Sequence, residues 1–166
     1  GGLRLAANYL SYALSSSLRV LRFRAGRRFD AVVVHETSPV TVGIPGVLAS
    51  RLWGCPMYFW VLDLWPESLT AAGGVTNPAV LGFFERLTRW IYRHSRRILI
   101  SSRGFRSSIE AKGIAAEKIA YFPNWPDTAL RPGASYALPA LPDGFIVMFA
   151  GNIGEAQDFE HVMQAA

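Results

Sequence analysis

The sequence predicts an α/β fold: a parallel sheet flanked by helices, followed by the first strand, loop and helix of a second unit. Two observations carry this. Short apolar, β-branched runs alternate with helical patterns at close spacing, as parallel strands joined by right-handed crossovers require. A stretch rich in proline and glycine then precedes one more strand-loop-helix pattern at the carboxyl end.

The elements follow in order. Leu3, Ala6, Leu10, Leu14, Leu18 and Leu21 recur at three and four residues and mark one face of a helix over 3–21. Leu5, Tyr9, Tyr12 and Phe23 give it a second apolar side. Residues 29–34, Phe-Asp-Ala-Val-Val-Val, read as a buried strand. A helix over 41–53 begins irregularly, because Gly43, Pro45 and Gly46 occupy its first turns. The strand from Pro56 to Leu62 is apolar on both faces, as expected where helices cover both. Asn77-Pro78 starts a helix whose buried face is Val80, Phe83, Phe84, Leu87 and Ile91. Residues 98–100 form a strand, and Ser102 caps a helix that Gly113 ends. A short strand over 119–122 runs into Pro123-Asn124-Trp125-Pro126. These elements make a first domain over 1–126, lacking its own first strand, with a linker over 127–144. A second domain begins at 145, with a strand over 145–150, the loop Gly151-Asn152-Ile153-Gly154 and a helix from about Glu155.

Composition narrows the classes. The chain has 166 residues, 51% apolar and 17% charged, which excludes intrinsic disorder. Cys55 is alone, so no disulfide framework or thiolate metal site forms within the chain. No apolar run is long enough to span a bilayer, and residues 1–20 lack a signal-peptide pattern. The sequence lacks an initiator Met and ends inside a helical pattern, as a fragment would. The net charge is +5 and uneven: residues 86–106 hold seven Arg and no acid. Such patches suit phosphate-bearing partners, or are simply solvated surface.

Ligands of open parallel sheets bind beyond the carboxyl ends of the strands. His35 and Glu36, Asp63, Ser101 and Asn124 fall there. Asp63 suits either acceptance of a proton from a hydroxyl or capping of the short helix at Pro66-Glu67-Ser68. Gly151 and Gly154 would bring backbone amides to a phosphate at a helix amino terminus, or form a tight turn. The loop is neither a dinucleotide fingerprint nor a P-loop. Arg86, Arg89 and Arg93 share a helical stripe beside Trp90. No His/Asp/Glu set has metal spacing, and no Ser-His-Asp grouping is present.

Together, residues 29–34, Asp63-Leu64-Trp65-Pro66-Glu67-Ser68, 98–102, 123–127 and 149–158 resemble bacterial glycosyltransferases of family 4, in particular those building O-antigen, capsule and colanic-acid type polysaccharides. The resemblance implies a Rossmann-like acceptor domain, the amino-terminal half of a GT-B fold, and the start of a donor domain. It implies retaining transfer from a nucleoside-diphosphate sugar to a lipid-linked saccharide, without a cofactor or bound metal and without nucleic acid. Asp63 would be catalytic. Gly151, Asn152 and Gly154 would bind donor, and His35, Glu36, Ser101 and Asn124 would lie on the acceptor side. Arg86, Arg89, Trp90 and Arg93 would meet an anionic membrane surface, on the cytoplasmic face of the inner membrane. The family's glycine-rich first loop would precede Gly1, and its basic donor residues and paired glutamates would follow Ala166. The fragment alone is therefore expected to be inactive. The alternatives are a non-catalytic phosphate or anionic-surface module, or a sugar-nucleotide epimerase of the same fold.

Overall fold

The computed structural model describes residues 2–23, 28–71, 75–125, 143–151, 153 and 158–165. They fall in two compact units, Gly1–Pro123 and Asn124–Ala166. The first runs α1 (Gly2–Arg22), β1 (Val32–Glu36), α2 (Gly43–Trp53), β2 (Met57–Val61), α3 (Glu67–Ala71), α4 (Pro78–His94), β3 (Arg97–Ile100), α5 (Phe105–Ala111) and β4 (Ile119–Tyr121). A 3₁₀ turn over Val40–Val42 leads into α2.

The strands form one parallel sheet in the order β1-β2-β3-β4. Crossovers of one hand that always step in the same direction put their helices on one face. Burial follows that rule. Val34, Met57, Phe59, Val61, Ile98, Ile100 and Ile119 face the helices and join Ile91, Tyr92 and Ile109 in the core. Val33, His35, Tyr58, Trp60 and Leu99 alternate with them and stay half-buried or exposed. The apolar run of β2 is thus not covered by helices on both sides; its aromatics divide between a core face and a partly open one.

Local signals place several elements. The Asn77 side chain accepts from the amides of Ala79 at 2.9 Å and Val80 at 3.4 Å, and Pro78 opens α4 behind it. Gly54 closes α2 at φ 63°, a left-handed cap that glycine adopts without strain. Ser102 is not the cap of α5: that place is held by Gly104, whose amide donates to the Ser102 hydroxyl in the turn before the helix.

Four further expectations are corrected. β1 lies over 32–36, not 29–34, because its register pairs His35 with Trp60 and Glu36 with Val61; Phe29 instead packs on Trp53, ring centres 4.4 Å apart. The leucine stripe of α1 is not its packed side: Leu10, Leu14, Leu18 and Leu21 are exposed. Ala13, with half-buried Tyr9, Ser16, Ser17 and Val20, forms the packed stripe of the helix, and α1 lies against α2; small residues admit close approach. On α4, Ile91 is buried and half-buried Phe84 and Leu87 pack against the core as expected, but Thr88 and Tyr92 join that face while Val80 and Phe83 are exposed. In the second unit residues 145–150 form no strand. Phe145 is 97% exposed, and no ladder partner is present among the described residues. The helix there is α6 (Phe159–Ala165), with Phe159 on Phe149 at 4.7 Å.

The glycines that made the start of α2 look irregular have a packing reason. A Cβ on Gly43 would sit 2.7 Å from Ile91 Cγ2 and 3.0 Å from the Phe59 ring. A Cβ on Gly46 would overlap Val34 and come within 3.1 Å of the Met57 sulfur. Gly46→Ala should therefore destabilise the fold by about 1–3 kcal/mol through overpacking. Gly82→Ala, where the Cβ meets only the mobile end of Arg86 at 3.6 Å, should stabilise α4 by about 0.8–1 kcal/mol. Urea unfolding of both variants checks the contrast.

Candidate functional site

Residues at the carboxyl edge of the sheet belong to three different environments. Successive strand residues point to opposite faces, so His35 and Glu36 do not act as a pair. His35 is exposed, with its ring 4.8 Å from Trp60. Together with Tyr9 and Tyr12 of α1 and Thr37 and Ser38 it lines a cleft of about 620 Å³ beside β1. Glu36 points the other way, into the helix-covered side, and is 1% exposed.

Neither Glu36 carboxyl oxygen meets hydrogen-bond geometry with a protein group. The Leu62 amide, directed to this strand end, is spent on the Glu36 backbone carbonyl at 3.0 Å. Burial, reinforced by the negative charge of Asp63, pushes the Glu36 carboxyl from its usual value near 4.5 up to about 8; the backbone amides of Asp63 and Leu62 oppose the rise only partly.

Asp63 follows β2 and is half-buried. The Ser68 hydroxyl lies within reach of Asp63 Oδ1 and, at 2.5 Å, of the Leu64 carbonyl. Asp63 is thus engaged in the turn that leads into α3, while its carboxylate also acts electrostatically on Glu36.

Four residues on, Glu67 opens a second carboxylate cluster. Lys112, 6% exposed, donates to Glu67 at 2.8 Å and to Glu85 at 3.0 Å. Ser108 adds a bond to Glu67 at 2.5 Å, and Arg89 one to Glu85 at 2.9 Å. α3, α4 and α5 are clasped together by this cluster. Although partial burial works against it, the bonds from Lys112, Ser108 and Arg89 hold both glutamates below the ordinary carboxylate range.

The other expected residues fall as follows. Ser101 is half-buried, and its hydroxyl donates to the Val61 carbonyl at 3.2 Å, tying β3 to β2. Asn124 is exposed at the start of the second unit. Gly151 is exposed, with the Phe149 ring 3.0 Å from where a Cβ would stand. Asn152, Gly154 and most of the linker over 127–144 lie outside the described residues. On α4, Arg86 and Arg93 are exposed. Arg89 is committed to Glu85, and Trp90 is half-buried, with the Arg51 guanidinium over its ring at 5.9 Å. Only part of the arginine stripe therefore faces outward. Lys112, and the place of Tyr9 and Tyr12 beside His35, are not foreseen from the sequence. The tyrosines' three-residue spacing was visible, but not the element they would meet.

A one-sided parallel sheet with polar residues gathered at its carboxyl edge defines a Rossmann-like α/β half-domain. The chain belongs to the glycosyl transferase 4-like domain family, which matches residues 2–125. It is 38% identical, over an alignment of 168 positions, to the Escherichia coli (strain K12) protein named "Putative colanic acid biosynthesis glycosyl transferase WcaI". The alignment covers 94% of this chain and 40% of that protein, so the chain spans well under half of its relative's length. No solved structure matches the chain.

The two carboxylate environments have opposite pH signatures. Glu36, raised in the fold, contributes stability that is full below about 4.5 and is lost as pH rises toward about 8. Glu67 and Glu85, lowered in the fold, contribute stability present above about 4.5 and lost as pH falls below it. Lys112→Met should lower stability at pH 7 by about 1.5–3 kcal/mol, the range for hydrogen bonds to charged groups. It should also flatten the acid limb while leaving the decline above pH 5 in place. Urea midpoints from pH 3 to pH 9 test both parts; an unchanged acid limb would remove Lys112 from the account.

Proposed function

We propose that the protein carrying this chain transfers a sugar from a nucleoside-diphosphate sugar to a lipid-linked saccharide during surface polysaccharide synthesis. The observation that carries this is the family match over 2–125, joined to 38% identity with a protein named for colanic acid biosynthesis. In this reading the first unit is the acceptor side and residues 145–166 begin the donor side. The anomeric configuration is retained, and no metal or cofactor takes part.

Asp63 stands at the carboxyl end of β2, where its carboxylate would take the proton of the acceptor hydroxyl as the new glycosidic bond forms. The Ser68 hydroxyl would fix its orientation. Positioned carboxylates contribute through proton transfer in the transition state, and only when held within hydrogen-bond reach. The cleft beside His35, walled by Tyr9 and Tyr12, suits a saccharide: aromatic faces beside hydroxyls and a ring nitrogen. Ser101 and Asn124 would lie farther along the acceptor side. Gly151, with Asn152 and Gly154, would offer amides to the donor diphosphate, a charge that fixed dipoles stabilise without reorganisation.

In the full-length protein, Asp63→Asn should lower turnover about 10²–10⁴-fold at unchanged fold, the span of general-base catalysis. Loss of stability with normal turnover per folded molecule would instead make Asp63 a turn residue alone.

A lipid-linked acceptor would be met at the bilayer surface. No helix among the described residues is long and apolar enough to cross a membrane, so contact on the cytoplasmic face would be peripheral. Arg86 and Arg93, exposed on one side of α4, are the residues for it; Arg89 and Trp90 serve packing as well. Each basic residue near an anionic surface contributes about 1 kcal/mol. Arg86→Glu with Arg93→Glu should release full-length protein from anionic vesicles at low salt in a sedimentation assay. Equal pelleting of variant and parent would remove α4 from the membrane contact.

A further inference from the structure

One buried ionisable group has no task in the mechanism above. Glu36 ends β1 on the helix-covered side of the sheet, 1% exposed, with both carboxyl oxygens lacking a hydrogen-bond partner. A carboxylate in that position would carry an uncompensated charge, which proteins avoid by pairing it or by protonating it. No pairing cation acts on it. The groups that face it are the carboxylate of Asp63 after β2, the backbone amides of Leu62 and Asp63, and the buried Tyr92 ring of α4. Lys112, the buried cation of this unit's clasp, is occupied by Glu67 and Glu85.

We propose that Glu36 is a positioning residue for Asp63: a carboxyl kept in its acid form at the end of β1, so that the strand edge holds a single negative charge, on Asp63. The inference rests on the transferase reading and extends it to a residue that never touches substrate.

The physics is that of two acids at one site. When carboxyls crowd together, the first ionises readily and the second only against its neighbour's charge. Here the difference is built into the fold. Asp63 is half-buried, open in part to solvent, and lies within reach of the Ser68 hydroxyl. Glu36 is enclosed, receives no side-chain donor, and has only the backbone amides of Asp63 and Leu62 to offset its burial. The proton therefore resides on Glu36 and the charge on Asp63, the form in which Asp63 can accept the acceptor's proton. Loss of the Glu36 proton at alkaline pH puts a second negative charge beneath Asp63. The repulsion then moves Asp63 away from Ser68, and the site loses its alignment. The burial-raised value of about 8 puts this event just above neutrality.

The test has two readouts. Isotope-edited infrared spectra of the chain should show a protonated glutamic acid carbonyl band at pH 7 that is absent in Glu36→Gln and disappears between about pH 7 and pH 9. Glu36 ionised at pH 7 overturns the proposal, and this needs only the parent protein, whether or not the variant folds. In the full-length protein, kcat/KM for sugar transfer should fall about tenfold per pH unit above 8. Glu36→Gln, neutral at every pH, should keep near-parental kcat/KM at pH 7 and lose that alkaline limb. A purely structural Glu36 would change stability and leave the limb where it was. An active enzyme whose limb is the same in Glu36→Gln overturns the role of Glu36 alone. Absence of transfer from any nucleoside-diphosphate sugar overturns the transferase reading, and the positioning role with it.

Discussion

The close approach of α2 to the sheet is the contact on which the rest of the first unit depends. With strands in the order β1-β2-β3-β4 and all crossovers on one face, a single layer of helices must enclose every core side chain. Gly43 and Gly46 let the α2 backbone settle onto Phe59, Ile91, Val34 and Met57 with no intervening Cβ. That brings β1 and β2 under the same helix and closes the core around Val34, Met57 and Phe59. The carboxyl ends of the two strands are thereby fixed side by side, with Leu62 bonded to the Glu36 carbonyl. The positions of Glu36 and Asp63 follow from this packing more than from anything local to either residue.

The run Asp63-Leu64-Trp65-Pro66-Glu67-Ser68 shows how one motif serves several masters. Ser68 turns back on Asp63. Trp65 is buried at 3% exposure and packs on Phe84 of α4, ring centres 5.1 Å apart. Glu67 reaches Ser108 and Lys112 of the α5 segment. Most of the motif thus anchors α3 between the sheet and its neighbouring helices. Asp63 is the member left at the sheet edge with one oxygen committed to Ser68. A change anywhere in the run would disturb Asp63 through the turn, so loss of activity alone does not identify a catalytic residue here.

Much of the fold was legible because periodicity and end signals are local. The Asn77-Pro78 start, the glycine stop at Gly113 and the runs of β2, β3 and β4 appear close to where the sequence puts them. What was not legible depended on partners. The leucines of α1 form a regular stripe, yet the small residues Ala13, Ser16 and Ser17 decide its packed side. Tyr92 is amphipathic by composition, but it lies at 1% exposure. Residues 145–150 have strand composition, and composition without a paired neighbour makes no ladder. For the site, His35, Glu36, Asp63 and Ser101 fall at the carboxyl ends of β1, β2 and β3. Their facing was not, because a shift in the start of β1 changes which of its residues lie within the ladder. His35 and Glu36 look like a pair in sequence and are separated by the thickness of the sheet.

The acidic residues of this edge differ in what their surroundings ask of them. Glu67 and Glu85 share Lys112, with further donors from Ser108 and Arg89, so their charges are compensated and they act as structure. Asp63 has one hydroxyl within reach and partial access to solvent. Glu36 has no side-chain donor and no solvent. Pairs of titratable groups whose environments drive them apart are the arrangement by which a fold divides acid and base roles between chemically similar residues. Composition ranks these four carboxylates as equivalents. The clasp at Lys112 ties two of them into the packing of α3, α4 and α5, and the helix-covered side of β1 encloses a third. Asp63 is left at the strand edge, half-buried, with the Ser68 hydroxyl beside it and Glu36 enclosed at the neighbouring strand end.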